Sequence, residues 1–441
     1  MITRIAHQAE KFTKILQLSL TSKEIKMLRS NFLTYQLGIL RKISKRFISC
    51  EKFSAPLGRL KVCESDQVVS LDYGNRLMHF PIVWLRDNCQ CSECFLPPTQ
   101  SRVINWYQFN INPKLQSIVW NDHLKKIFIK WEDNHESIFE LNWLEKRDFA
   151  PSNQEYHLTK RYRPVKKPWR KDDFPNIFHS FEFNDVVNTN EGLKNWLEAL
   201  AINGVARITN APKDERICRQ VVERVGFIKK THFGEEFIVK HKPDTTNVAY
   251  LSSELQLHTD LPYYEYKAGV NILHCMEQSQ SAGGANLLTD GLSVSQLMRE
   301  KHPKHFKLLK TVPVDWTDVV IENDSRFHKI YRSPVFVMNE KDEFMRINHS
   351  IPQRGSHFTI PLELVKPWYE ANEVFVKLIR EEAAEFKTQP GDILTFDNIR
   401  LVHGRRAYND TATNVRYLVG SYLDWDEIYD RLRVLNAEQD T

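Results

Sequence analysis

From Gly204 onward the chain is a succession of short apolar runs parted by Gly, Pro and Asp turns, and this pattern restricts the fold more than any other feature. Residues 204–208 read as a buried strand, and further runs follow at 269–275, 285–288, 334–338, 393–396 and 416–422. Helical patterns interrupt them at 190–197, 293–310 and 362–387. Many short strands with a few helical decorations make a mainly β domain, a sandwich or jelly-roll barrel, over residues 174–441.

Residues 52–150 read as a smaller β unit. Residues 68–73 and 80–85 are strand candidates around a Gly74-Asn75 turn, and residues 126–131 alternate charged and apolar side chains. Between the two units, residues 151–173 form a basic stretch with Tyr162 and Trp169 interleaved. Cations and aromatics of this kind can track a nucleic acid, but a linker over an acidic neighbour is the expected role, with no nucleic-acid partner.

Charge separates the first fifty residues from the rest. They hold ten Lys and Arg against Glu10 and Glu24, whereas the remainder holds 51 basic and 54 acidic side chains. Ile5, Ala9, Phe12, Ile15 and Leu16 recur at helical spacing, so residues 1–50 read as a mitochondrial transit peptide, with a cytoplasmic protein bearing a basic helical arm as the alternative. The body is not a polyanion binder. A composition of 41% hydrophobic, 27% charged and 11% aromatic residues excludes a disordered chain. No run approaches the roughly 18–20 apolar residues of a membrane span.

His258-Thr259-Asp260 is the first sign of chemistry. Positions i and i+2 of a strand face one side, so His258 and Asp260 can share an ion. His403, in Leu401-Val402-His403-Gly404-Arg405-Arg406, is the best third ligand. Two His and one carboxylate make the facial triad of non-haem Fe(II) oxygenases, which leaves positions open for a co-substrate and O2. Members that use 2-oxoglutarate also need a cation for its distal carboxylate; Arg416 supplies one, since a guanidinium fork pairs with a carboxylate bidentately.

Three of the seven Cys crowd into Cys89-Gln90-Cys91-Ser92-Glu93-Cys94. Their spacing suits a tetrahedral Zn(II) site, with His135 preferred to His123 or His157 as the fourth ligand. A closed shell of this kind is structural; a redox-active or disulfide cluster is the alternative.

At these residues the sequence resembles the γ-butyrobetaine hydroxylase and trimethyllysine hydroxylase group of carnitine-synthesis dioxygenases. The similarity covers nearly everything after residue 55. It is carried by Trp84-Leu85-Arg86-Asp87-Asn88-Cys89-Gln90-Cys91, Asn247-Val248-Ala249-Tyr250, His258-Thr259-Asp260, Leu273-His274-Cys275, Phe396-Asp397-Asn398 and His403-Gly404-Arg405-Arg406. Arg405-Arg406-Ala407-Tyr408 and the closing residues 424–433 look more like the butyrobetaine branch.

The resemblance implies a double-stranded β-helix core, a small zinc-bound N-terminal domain, a homodimer, and a trimethylammonium substrate held by aromatic faces. Residues matching the family's substrate positions are Phe233, Phe237, Tyr250 and Tyr422 for the cage and Asn247 and Asn348 near a carboxylate; Asn286 falls where the fold places a polar group on 2-oxoglutarate. The family usually has Tyr at Phe233, Trp at Phe237 and an aromatic at Leu261. Phe is a weaker cation–π partner than Trp, and Tyr263, Tyr264 or Tyr266 are candidates to compensate.

The reaction expected is hydroxylation of γ-butyrobetaine to L-carnitine, with Fe(II), 2-oxoglutarate, O2 and ascorbate as reductant. Trimethyllysine or another betaine is the alternative within the class. Outside it stand a zinc-dependent hydrolase and a non-catalytic betaine-binding relative.

Overall fold

The computed structural model describes residues 60–240, 251–281, 283–322, 325–409, 411 and 414–439. The expected import segment, and Asn247 and Tyr250 among the expected substrate contacts, lie outside the described residues. The chain divides into two compact units, Met1–Tyr156 and His157–Thr441.

The second unit carries two main sheets, whose ten strands are labelled in chain order. They are β1 (Ser180–Glu182), β2 (Val205–Thr209), β3 (Glu236–Lys240), β4 (Leu255–His258), β5 (Val270–Glu277), β6 (Asn286–Asp290), β7 (Ala384–Phe386), β8 (Ile393–Asp397), β9 (Leu401–Arg405) and β10 (Tyr417–Leu423). Six of them pair in the order β3-β10-β5-β8-β2-β1, and four in the order β4-β9-β6-β7. All pairings are antiparallel except β1 with β2. This is the double-stranded β-helix that the resemblance implies.

Strand period explains why these runs look continuously apolar in the sequence. Along β8, Ile393 joins the core under the helices, whereas Leu394 and Phe396 pack with Val205, Leu288, Ala384 and Leu401, residues drawn from both sheets. Along β5, Val270 and Ile272 face the helix side, and Asn271 and Leu273 face the other way. Both faces are buried, so alternation is lost.

The helix Asn190–Asn203 buries Leu193, Trp196, Leu197 and Leu200, the 3.6-residue stripe of an amphipathic helix. Thr189 caps its start by accepting from the Gly192 N–H at 2.9 Å. Gly204 ends it at φ +79°, and this left-handed residue turns the chain directly into β2. On the other side, Gly291–Lys301, Pro303–Thr311 and Leu362–Glu381 pack with Leu257, Leu287 and Val402. The expected helical stretch at 293–310 is thus two helices broken before Pro303. That at 362–387 ends at Glu381, so that β7 can join its sheet.

A fully buried ion pair ties the layers together. Arg400 donates from Nε and Nη2 to the two oxygens of Asp290 at 2.9 and 2.8 Å, both side chains being wholly inaccessible. Asp290 also accepts from the Leu292 and Trp169 N–H groups, and Arg400 Nη1 donates to the Ile202 carbonyl. Every charge is therefore satisfied.

The first unit has two antiparallel three-stranded sheets. One comprises Leu60–Cys63, Val68–Tyr73 and Arg76–Pro81, the other Leu115–Asn121, Lys126–Trp131 and Glu136–Glu140. Val69, Leu71, Met78 and Phe80 share one core with Ile127, Ile129, Trp131 and Phe139. The strand expected at 80–85 stops at Pro81, and Ile82–Asp87 is a helix that buries Ile82 and Leu85, three residues apart on one face. Residues 151–173, expected as a linker, carry structure: Pro151–Tyr156 is helical, and Trp169 is buried with its indole N–H donating to the Asn203 carbonyl at 2.8 Å.

Replacing Arg400 by Leu strands the Asp290 charge inside the fold. The expected result is a loss of about 3–5 kcal/mol of stability, read as a lower urea midpoint for the second unit. An unchanged midpoint would show that the ion pair does not hold the layers.

Candidate active site and a second metal cluster

His258 ends β4 and His403 lies within β9, and the two are directly opposed across the β4–β9 ladder. Their ring centroids are 4.2 Å apart. Asp260 lies beyond the end of β4, so strand alternation alone does not place it. Its backbone N–H donates to Asn398 Oδ1 at 2.8 Å, and Asn398 Nδ2 donates back to the Asp260 carbonyl at 3.0 Å and to that of Ala268 at 2.9 Å. Leu261 then holds φ +55°, a left-handed conformation uncommon for a residue with a Cβ, which turns the chain away after the carboxylate.

The polar atoms converge on one point. His258 Nε2 and His403 Nε2 lie 3.3 and 3.6 Å from Asp260 Oδ1. Two ligands at right angles, each roughly 2.1 Å from an ion, sit about 3 Å apart, so the spacing fits a shared metal. The second coordination layer agrees. His258 Nδ1 contacts the Gln256 carbonyl at 2.8 Å, an arrangement in which Nδ1 carries the proton and Nε2 keeps its lone pair. Asp260 Oδ2 accepts from Asn271 Nδ2 at 2.7 Å and from the Tyr422 hydroxyl at 3.1 Å, which leaves Oδ1 for the ion. The three side chains retain 11, 22 and 13% of their surface, enough for a ligand to reach them.

Electrostatics points the same way. Burial alone would raise the Asp260 carboxyl, but the His403 and His258 rings and the Asn271 amide outweigh it and hold the group well below the usual carboxylate range. Burial, then the neighbouring His258, pushes His403 down to about 3, so its imidazole is neutral at pH 7. A carboxylate and neutral imidazoles are the forms a metal requires.

These residues line a cavity of about 100 Å³ with Arg416, Asn286, Arg405, Phe233, Phe237 and Tyr422. Arg416 is buried, and its Nε has no partner among the described residues. Its Nη2 donates to Asn286 Oδ1 at 3.4 Å. Burial, then the charge of Arg405, lowers its pKa to about 10. A desolvated guanidinium without an acid beside it is suited to receive a carboxylate. Arg405 anchors Nη2 on the Leu251 and Ser253 carbonyls at 2.6 and 2.9 Å.

The aromatic wall is contiguous. Phe237 stacks on Tyr422 with centroids 4.9 Å apart, and Phe233 lies 6.3 Å from Phe237. Gly420, opposite Phe237 in the β3–β10 ladder, makes room for that ring: a Cβ there would fall 2.4 Å from Phe237 Cζ. Asn348 sits elsewhere. It is buried, donates from Nδ2 to Ser333 Oγ at 2.8 Å, and is not among the residues that line the cavity.

In the first unit, Cys89, Cys91, Cys94 and His135 form a second cluster. The three sulfurs lie 3.3, 3.5 and 3.5 Å from His135 Nε2. A tetrahedral ion with Zn–S near 2.3 Å and Zn–N near 2.0 Å separates sulfur from nitrogen by about 3.5 Å. Cys94 and Phe95 both donate their N–H to the Cys91 carbonyl, forming a tight knuckle, while His135 follows the left-handed Asn134 between two strands. Burial pushes the Cys89 thiol up to about 12 and raises that of Cys94, a cost that a cation would remove. Burial, then Arg86, lowers the pKa of His135 and favours the neutral ligand form. His123 and His157 are exposed and outside the cluster.

With this geometry established, comparison with known proteins places the chain. Residues 161–422 match the model of the taurine catabolism dioxygenase TauD, TfdA family, and residues 60–145 match the gamma-butyrobetaine hydroxylase-like N-terminal model. The chain belongs to the TauD, TfdA dioxygenase family. It is 34% identical over 359 residues to gamma-butyrobetaine dioxygenase of Homo sapiens, covering 81% of this chain and 91% of that protein. It is 28% identical over 373 residues to the mitochondrial trimethyllysine dioxygenase of Bos taurus, covering 83% and 85%. Gamma-butyrobetaine dioxygenase of Pseudomonas sp. (strain AK-1) is 28% identical over 364 residues, with 82% and 91% covered. Within the TauD, TfdA family the chain is a 2-oxoglutarate-dependent dioxygenase of the gamma-butyrobetaine and trimethyllysine dioxygenase group.

Sequence reasoning missed the groups that orient Asp260. Asn398 was noticed only as part of Phe396-Asp397-Asn398, with no role, and Asn271 lay unmarked inside an apolar run. Replacing Asn271 by Leu removes the shorter of the two hydrogen bonds that hold Asp260 Oδ2. The expected outcome is roughly 10–100-fold weaker binding of Fe(II), or of Mn(II) as a probe, by titration. Unaltered affinity would remove Asn271 from the metal's support.

Proposed function

We propose that the chain hydroxylates γ-butyrobetaine to L-carnitine. The observation that carries this reading is that one cavity joins the His258–Asp260–His403 cluster, the uncompensated Arg416 and the wall of Phe233, Phe237 and Tyr422. Its similarity to a relative named gamma-butyrobetaine dioxygenase exceeds that to the relatives named trimethyllysine dioxygenase.

Each group has a distinct task. Arg416 pairs with the distal carboxylate of 2-oxoglutarate, with Asn286 beside it. His258 and His403 hold the metal through Nε2, and Asp260 holds it through Oδ1. Bound there, Fe(II) supplies the redox chemistry by which O2 converts 2-oxoglutarate to succinate and CO2 while a substrate C–H becomes an alcohol. Leu255, Leu273 and Leu418 give the cavity lining an apolar part. A quaternary ammonium has no N–H to donate, so ring faces are what can hold it. Fixing that end presents one carbon to the metal, and positioning of this kind is the protein's main contribution. Asn247 and Tyr250 belong to the proposed substrate contacts.

The cluster of Cys89, Cys91, Cys94 and His135 is proposed to hold a structural zinc ion. Residues 1–50 are proposed to direct mitochondrial import, and the enzyme to be a homodimer in carnitine biosynthesis. Light scattering at twice the chain mass and mitochondrial fractionation are the expected results; a monomer or cytoplasmic enrichment would overturn these points.

The deciding experiment incubates the protein with Fe(II), ascorbate, O2 and 2-oxoglutarate, with and without γ-butyrobetaine. Succinate and carnitine should form in equal amounts. The same stoichiometry with trimethyllysine alone would transfer the activity to that substrate. Betaine binding without succinate would leave a non-catalytic relative. His258→Ala should abolish turnover, whereas Arg416→Gln should raise the KM for 2-oxoglutarate by roughly tenfold or more, the effect of removing a charged hydrogen bond of at least about 1.5 kcal/mol. Cys94→Ser should lower the bound zinc measured by elemental analysis; a full complement of zinc would exclude Cys94 as a ligand.

A further inference from the structure

The segment that follows Ile347 turns one amide away from the cavity and brings another to it. Asn348, one of the residues expected near the substrate carboxylate, is held by Ser333 and does not line the cavity. Ser350, Pro352 and Gln353 do. Of the other polar groups there, Asn286 and Arg416 meet each other, and Arg405 is anchored on backbone carbonyls. Neither the Ser350 hydroxyl nor the Gln353 amide has a hydrogen-bond partner among the described residues.

The backbone of this segment is clamped at both ends. The His349 carbonyl accepts at 2.7 Å from the N–H of Thr259, the middle residue of His258-Thr259-Asp260. Further on, the chain adds to the strand Val314–Glu322. The Thr317 N–H donates to the Gln353 carbonyl at 2.8 Å, and the Gly355 N–H donates to the Asp315 carbonyl at 2.7 Å. Gly355 runs so close to that strand that a Cβ would fall 3.1 Å from the Asp315 carbonyl oxygen.

Arg354 completes the clamp. Its guanidinium carbon lies 4.8, 5.2 and 5.9 Å from the ring centroids of Tyr369, Trp368 and Phe358. Nε and Nη1 are buried without a hydrogen-bond partner, and no acid lies within ion-pair distance among the described residues. Ring faces hold a cation without neutralising it. The cavity wall beside Arg354 therefore combines two unengaged donors, an amide and a hydroxyl, with a positive field. That combination suits an anionic group.

We propose that Gln353 reads the carboxylate end of the substrate, donating from Nε2 with the Ser350 hydroxyl beside it, and that Arg354 is the positioning residue that aims Gln353 from its seat among the three rings. The inference rests on the γ-butyrobetaine reading above and transfers the contact expected of Asn348 to a different residue.

The test compares γ-butyrobetaine with butyltrimethylammonium, which carries a methyl group in place of the carboxylate. Both are titrated into protein loaded with Mn(II) and 2-oxoglutarate. Calorimetric dissociation constants should favour the betaine in the wild type. Gln353→Leu should cut that preference roughly tenfold, the scale of one hydrogen bond to a charged group, with butyltrimethylammonium binding unchanged. Gln353→Glu should cut it further, because it sets a like charge against the substrate carboxylate. In turnover, Arg354→Met should raise the KM for γ-butyrobetaine and leave that for 2-oxoglutarate unchanged. Arg354→Lys, which keeps a cation among the rings, should restore much of the loss.

An unchanged preference in Gln353→Leu would overturn the proposal, and so would equal weakening of both ligands. A parallel rise of both KM values in Arg354→Met would overturn the positioning role of Arg354. Gln353→Glu keeps the shape of the side chain and serves even where Arg354→Met fails to fold. A wild type that does not prefer the carboxylate-bearing ligand is a different failure, since it overturns the γ-butyrobetaine reading itself.

Discussion

Asp260 has two carboxylate oxygens, and the active site depends on keeping them apart in role. Oδ2 is engaged by Asn271 and Tyr422, while Oδ1 faces the two imidazoles. Asn271 comes from β5 and Tyr422 from β10, neighbours in the six-stranded sheet. His258 and His403 come from β4 and β9 in the other sheet. The carboxylate therefore bridges the two layers, and the layers must be in register before the three ligand atoms can converge. The buried Arg400–Asp290 pair supports that register, because Asp290 ends β6 of the four-stranded sheet while Arg400 also donates to the Ile202 carbonyl, in the helix that leads into β2 of the six-stranded sheet.

The wall of the cavity and the metal site are also not separable. Tyr422 stacks on Phe237 and donates to Asp260, so one side chain carries both a ring face and a ligand's support. Charge is arranged by position: Arg405 and Arg416 line the cavity as cations. A dicarboxylate co-substrate is what such a cationic end would accommodate.

Much of this was legible in the sequence, and the exceptions have physical causes. Short apolar runs marked the strands because a strand buried on both faces needs apolar side chains at every position, as in β8 and β5. The same rule misread residues 80–85, where Pro81 ends a strand and the apolar residues continue as one face of a helix. His258, His403 and the three cysteines were visible because few residue types bind metals and their spacings are restrictive. Asn271 and Asn398 were not, since an amide supporting a ligand from a strand far away in the chain leaves no local pattern. Asn348 matched a family position yet is buried against Ser333, which a linear match does not reveal.

The cysteine knuckle has a consequence for how the first unit is made. His135 follows Cys94 by 41 residues. While the chain is being synthesised, the three thiols emerge well before the imidazole that completes their shell. In that interval they are close together, incompletely ligated and open to oxidation. Closing so long a loop carries an entropic cost that the proposed zinc ion would have to overcome. With the proposed zinc ion in this cluster, the order of residues along the chain makes supply of the ion, at the moment the hairpin carrying His135 appears, part of the maturation of the enzyme.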